Sequence, residues 1–220
     1  MKKLLPLLLI YISIPCFSQS RESLDGFWGI KWGESIENTT KTLEEKGFSV
    51  SDNSAEYKHH STKNSDVVFM VEGFSMLSTS KGKFTGEDAE IFLDFIDAKL
   101  YRVSVTLFPK KDEEIKFYND YCQMIADKYG TPDTVIELKG KESDIMSLKE
   151  LPFKDWRFKD GNSIFAMIRP GFQELIVAII YENAQLNDIV KKRKEETEAL
   201  AIEQYNKTQE AARQEKMKDL

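Results

Sequence analysis

The sequence predicts an α+β fold: two tandem helix-then-antiparallel-sheet repeats, followed by a long charged C-terminal helix. Three observations carry this reading. Two helix-like segments end at Gly47 and Gly130, and each is followed by runs of apolar and polar residues that alternate with period two. A slide of 73 positions lays residues 91–108 on residues 164–181 without a gap, matching Ile91 and Phe92 to Ile164 and Phe165. Residues 184–220 are dense in Glu, Lys, Gln and Ala and hold neither proline nor glycine.

The N-terminus reads as a cleaved secretory signal. Lys2 and Lys3 precede an 11-residue apolar run, Leu4 to Ile14, too short for a bilayer that needs ~20 residues. Cys16 and Ser18 are small residues placed for cleavage before Gln19. Lipid attachment through Cys16 is the weaker alternative, because Ser13, Ile14 and Pro15 are poor company for a lipidated cysteine. The expected destination is secreted or periplasmic. The expected organisation is a signal peptide over 1–18, a first α+β repeat over 19–109, a second over 110–183 and a helical tail over 184–220.

Residues 27–32 (FWGIKW) alternate Trp28, Ile30 and Trp32 with smaller or polar residues, which predicts an opening strand with both tryptophans buried. Ser35 stands where an N-cap belongs, so a helix is expected over 36–46, stopped by Gly47 and closed by Phe48. Residues 49–65 are polar and predict no element. Strands are expected over 66–71, 74–77, 89–96 and 100–108. In the last, Leu100, Arg102, Ser104 and Thr106 share one face and Tyr101, Val103, Val105 and Leu107 the other.

A second helix is expected over 112–129. Its stripe is Ile115, Tyr118, Cys122, Ile125 and Tyr129, at spacings of 3 and 4. Strands follow over 134–138, 156–158, 163–168 and 174–181, with a charged excursion over 139–150. The matching of 91–108 to 164–181 implies an internal duplication. The tail lacks a clean apolar stripe, since Leu186, Val190, Leu200 and Ala211 share one face with Arg193, Thr197, Gln204 and Lys207. A solvated charged helix is expected there, separable from the folded body, with a weak coiled coil or docking helix as the alternative.

Composition excludes some partners. The chain carries a net charge of −6, and loss of Lys2 and Lys3 with the signal leaves −8. Residues 184–220 hold eight basic and eight acidic residues, so the whole excess sits on the body. An acidic body argues against nucleic acid, whose binders neutralise phosphates with Lys and Arg. Beyond the signal no stretch is long and apolar enough to cross a membrane. Without Cys16, Cys122 has no partner for a disulfide within the chain.

Chemistry-bearing motifs are absent: no GxSxG, HExxH, Walker loop or GxGxxG pattern occurs. Cys122 falls on the apolar stripe of its helix, which suits a buried thiol better than a nucleophile. His59 and His60 point apart on a strand, and even with Glu56 they make a poor metal set. No metal and no cofactor is expected. Glu44-Glu45 and Glu113-Glu114 read as solvated helix surface. Asp94 and Asp155 could meet in a cleft. For a binding surface, Phe74, Met76, Arg169 and Phe172 are candidates, as aromatics, a methionine and an arginine near strand ends or turns.

GIKWGES leading into a helix, KYGTP closing a second helix, then a tryptophan strand and a final IVAIIYE resemble a class of secreted bacterial proteins. The helix-then-strands unit used twice is also similar to the superfamily of the β-lactamase-inhibitory protein and the small outer-membrane assembly lipoproteins. The resemblance covers residues 26–182 and implies a non-catalytic binding or adaptor role, inhibitor-like or in envelope assembly, with an envelope or extracellular protein as partner. It departs from that superfamily in its missing disulfides and poor lipidation site. The alternative expectation is an envelope hydrolase or lyase with a carboxylate-based site.

Overall fold

The computed structural model describes residues 21–55, 57–110, 113–137, 151–171 and 175–218. Residues 1–20, Glu56 and Phe172 lie outside the described residues, and with them the expected signal peptide and all of the charged excursion over 139–150.

Gly26–Phe27 (β1) and Ile30–Lys31 (β2) pair as a tight hairpin, so residues 27–32 are not the single alternating strand predicted. Trp28 (φ 51°) and Gly29 (φ 88°) reverse the chain, and a two-residue type I′ turn needs positive φ at both positions. The reversal breaks the period of two. Phe27 and Ile30 take the core at 2% exposure each, while Trp28 and Trp32 sit half-buried over it. A Cβ on Gly26 would lie 2.0 Å from the Ile30 carbonyl oxygen, so only glycine closes this hairpin.

Helix α1 (Ile36–Glu45) begins as predicted, with Ser35 Oγ accepting the Asn38 amide at 3.3 Å. Phe48 folds back beyond Gly47, its amide donating to the Leu43 carbonyl at 3.1 Å. The buried stripe is Thr39 and Leu43, with Ile36 only half-buried.

The chain then lays down β3 (Val50–Asp52), β4 (His59–His60), β5 (Val68–Phe69), β6 (Phe74–Thr79), β7 (Gly82–Phe84), β8 (Glu87–Ile96) and β9 (Lys99–Leu107). Helix α2 (Glu114–Tyr129) follows, then β10 (Thr134–Ile136), β11 (Phe153–Arg157), β12 (Ser163–Pro170), β13 (Leu175–Glu182) and α3 (Ala184–Lys218). Nine strands form one antiparallel sheet in the order β10-β11-β12-β13-β9-β8-β6-β3, with β7 also paired to β8. Segment 49–65, predicted to be without structure, supplies β3 and β4. The strand predicted over 66–71 shrinks to β5, which pairs with β4 outside the main sheet.

Helices α1 and α2 share one face of the sheet and build the main core with it. Tyr118, Cys122 and Ile125 of α2 meet Ile164, Ala166 and Val177, while Trp156 of β11 is fully buried. Trp156 Nε1 donates to the Gly130 carbonyl at 2.8 Å and so fastens the end of α2 to the sheet. Glu114, expected on solvated surface, is 6% exposed in the first turn of α2, where free amides favour an acid.

Two register details correct the predicted faces. A β-bulge between Asp94 and Phe95 pairs Arg102 with Asp94 and Leu100 with Phe95, leaving Tyr101 as the extra residue. Leu100 therefore enters the main core, and Tyr101 turns to the opposite face beside Ile96 and Val190. The gapless slide of 73 holds for Ile91, Leu93 and Phe95 against Ile164, Ala166 and Ile168, all buried. It slips in the last strand. Leu107, Val105 and Val103 stand opposite Val177, Ile179 and Tyr181 and share their face, where the slide puts 176, 178 and 180. The connection from Pro170 to Leu175 is longer than the two-residue turn after Ile96, and it absorbs the difference.

Helix α3 lies against the other face and is not solvated all round. Leu186 and Val190 pack on Ile96 and Tyr101. Further along, Glu198 accepts from Ser61 Oγ at 2.6 Å and from the Thr62 amide at 2.7 Å, and the Tyr205 hydroxyl donates to Asp66 at 3.3 Å. Polar contacts replace the missing apolar stripe. Residues 206–215 are exposed.

Candidate functional site

The sheet face opposite α1 and α2 carries a row of charges set by register. Asp94 of β8, Arg102 of β9 and Glu182 of β13 stand directly opposite one another, and the row runs on through Ser163 and Arg157. Directly opposite residues on adjacent strands have their Cβ atoms ~5 Å apart, close enough for charges to act on each other. The Arg102 guanidinium approaches Asp94 at 3.7 Å, and its buried Nε has no hydrogen-bond partner among the described residues. Burial pushes the Asp94 carboxyl up to about 6, with Arg102 opposing and Glu182 adding to the rise. Burial also raises Glu182, against the pull of Arg102 and Lys191. One guanidinium is thus shared by two carboxyls.

Beside this row a cleft of about 380 Å³ opens over β9 to β13, lined by Arg102, Glu182, Asp155, Arg157, Phe153 and Phe165 among others. Asp155 is 6% exposed and accepts from Arg157 Nε at 2.8 Å, which holds the guanidinium over the cleft and raises its affinity for a proton. Phe153 and Phe165 stack at 4.8 Å between ring centres and form an apolar floor. The cleft thus combines a flat aromatic pair with two acids and two arginines: Asp155 is paired with Arg157, Arg102 with Asp94, and Glu182 accepts from Asn187 at 2.6 Å. Such a set binds charged side chains beside an apolar anchor.

No protein-family model, curated protein or solved structure matches the chain. The chemistry of the site therefore rests on its geometry alone.

The residues singled out in the sequence are spread over this face rather than gathered. Met76 stands opposite Asp94 on β6, and Phe74 stands opposite Ile96. Phe74 also stacks on Tyr57 at 4.9 Å and packs under α3, so it is largely occupied. Arg169 is exposed near the end of β12, with β13, β9 and β8 between it and β6. Asp94 and Asp155 share the face but not a cleft. Four strand spacings separate them, roughly 19 Å. The carboxyls that influence each other across the cleft are Asp155 and Glu182.

Cys122 is 1% exposed and its thiol is pushed up to about 11 by burial, so it is no nucleophile. His59 sits half-buried against Tyr57, Phe69 and Phe74, where burial and Lys194 lower its proton affinity. His60 is exposed. Among the described residues no group of three or more His, Cys, Asp or Glu is placed to hold a metal ion. Arg102, Glu182 and Arg157 were missed by sequence reasoning. Their only signal was a polar position in an alternating strand, and register alone makes them neighbours.

Proposed function

We propose that this chain is a non-catalytic binding or adaptor protein of the bacterial envelope or extracellular space, which presents the cleft-bearing sheet face to a protein partner. One observation carries the reading: the half of that face over β11 to β13 holds stacked phenylalanines and charged side chains, and the start of α3 meets it at Glu182, which accepts from Asn187 at 2.6 Å. Aromatic anchors and arginines in a desolvated centre are what protein interfaces use. Asp94, Asp155 and Glu182 balance Arg102, Arg157 and Arg169 on this face, and the excess negative charge of the body favours a partner that offers basic side chains. The basic and apolar N-terminus supports export.

The same reading takes the chain as two tandem units, α1 with β3, β6, β8 and β9, and α2 with β10 to β13. Its resemblance to the superfamily of the β-lactamase-inhibitory protein and the outer-membrane assembly lipoproteins supports binding over catalysis.

Cross-linking and capture from envelope extract test it, with Phe165→Asp and Glu182→Lys beside the parent chain. The expected result is one partner with a basic surface, lost in both variants while circular dichroism stays unchanged. Capture that ignores both substitutions would place the binding surface elsewhere.

A second reading, carboxylate-based hydrolysis or elimination, draws on Asp94, whose carboxyl titrates near neutrality beside Glu182. Turnover of a glycan or peptide panel that disappears in Asp94→Asn would favour it. Absence of turnover by the parent chain would remove it.

A further inference from the structure

The opening hairpin does more than start the fold. Trp28 is a bulky residue held at φ 51°, a conformation that costs ~1–2 kcal/mol in L-residues. Such strain gathers at ligand clamps and switch points. Here it sets the indole edge-on to Phe48 and Phe84, at interplanar angles of 83° and 82°. Lys46 covers the Trp28 ring at 4.5 Å. Trp28 also lines a pocket of about 200 Å³ between the hairpin, the β7–β8 turn and α2.

The walls of this pocket are aromatic: Phe27, Trp28, Phe84, Tyr121, Tyr129 and Tyr181. Its size is informative, since a protein cavity of about 150 Å³ with apolar walls takes up benzene. One ring with a small substituent fits. Met124, 52% exposed, stands among the lining residues as a soft and adaptable side chain.

The polar groups give the sign of the substituent. Lys128 is the charged residue among the lining side chains, and its ammonium stands 4.8 Å from the Tyr129 ring centre. Glu87 is close enough to raise Tyr121 but does not line the pocket. Burial holds the Tyr181 hydroxyl protonated, and Tyr121 and Tyr129 are near enough to act on it. The Tyr121 hydroxyl is already hydrogen-bonded to Thr85, so the pocket offers the Lys128 ammonium and the Tyr181 hydroxyl, which suit an anionic acceptor.

We propose that this pocket is a binding site for a small aromatic carboxylate, its ring held between the hairpin and α2 and its carboxylate facing Lys128. The site is on the α1/α2 side of the sheet, so it stands apart from the partner face. Its test leaves that face untouched.

Benzoate, phenylacetate and benzylamine are the probes, titrated into isotope-labelled full-length protein and followed by amide chemical shifts. The expected result is saturable shifts confined to residues 26–30, 84–86 and 121–129 with the two carboxylates, and roughly tenfold weaker binding of benzylamine. Lys128→Glu should reverse the preference. Met124→Trp, a change at an exposed position, should fill the mouth and abolish the shifts while the rest of the spectrum is retained. Shifts that do not saturate, that persist in Met124→Trp, or that are equal for benzoate and benzylamine would overturn the proposal.

Discussion

Arg193 of α3 grips Asp97, the first residue of the β8–β9 turn, with Nη1 donating to Oδ1 and Nη2 to Oδ2, each at 2.7 Å. The same Nη1 reaches the Glu72 carbonyl at 3.2 Å. Gly73 makes room for this fork. A Cβ there would stand 2.3 Å from Asp97 Oδ1 and 2.9 Å from Arg193 Nη1, at a φ of +75°.

Gly73→Ala is expected to cost about 1–3 kcal/mol, from left-handed strain and from displacing the pair. Arg193→Ala alone should lower stability only slightly, because the pair is solvent-exposed. Urea denaturation of both singles and the double variant checks this. Part of the Gly73 cost should vanish once Arg193 is gone, and strict additivity would show that the two do not communicate.

Where the tail is cut should matter sharply. Ending the chain after Tyr205 removes only helix beyond the last contact and should leave the melting temperature unchanged. Ending it after Asn183 strips Leu186 and Val190 from Ile96 and Tyr101, and should lower the melting temperature on the order of 5–10 °C. Scanning calorimetry of the two truncations decides between a docked brace and a free appendage.

Asp94 makes stability depend on pH in a definite direction. Its folded carboxyl is raised from 3.8 to about 6, so the folded state keeps its proton over a range where the unfolded chain has lost it. The benefit is full below about pH 4 and is lost as pH rises through 6, about 3 kcal/mol in all. Asp94→Asn should flatten this fall. The variant should gain on the parent at pH 7.5 and match it at pH 4, as read from denaturation midpoints.

The elements legible in the sequence are those long enough to show a period. The caps of α1, the stripe of α2 and the strands β8, β9, β12 and β13 all stand within a few residues of expectation. The short strands β3, β4 and β7 carry no period and were invisible, whereas the three-residue β10 was expected over 134–138. The Trp28-Gly29 reversal hid inside a pattern that also reads as a strand. The docking of α3 escaped because Arg193, Glu198 and Tyr205 do by hydrogen bonding what apolar residues usually do. At the candidate site, alternation marks Arg102 as polar, but only cross-strand register puts it between Asp94 and Glu182.

Cys122 offers a direct reading of core integrity. At 1% exposure, with its thiol raised by burial, it should resist a disulfide reagent in the native protein and react fully in denaturant. Fast native labelling would mean that α2 opens away from β12 and β13 on the timescale of the assay.

The pairing of β9 with β13 has a consequence for the chain in pieces. Either half made alone would end in a bare row of amides and carbonyls, flanked by Val103, Val105 and Leu107 or by Val177 and Ile179. Such a fragment is adhesive by construction. Two copies of one half are expected to pair through that ribbon, or one half to capture the other, unless the partner strand covers it.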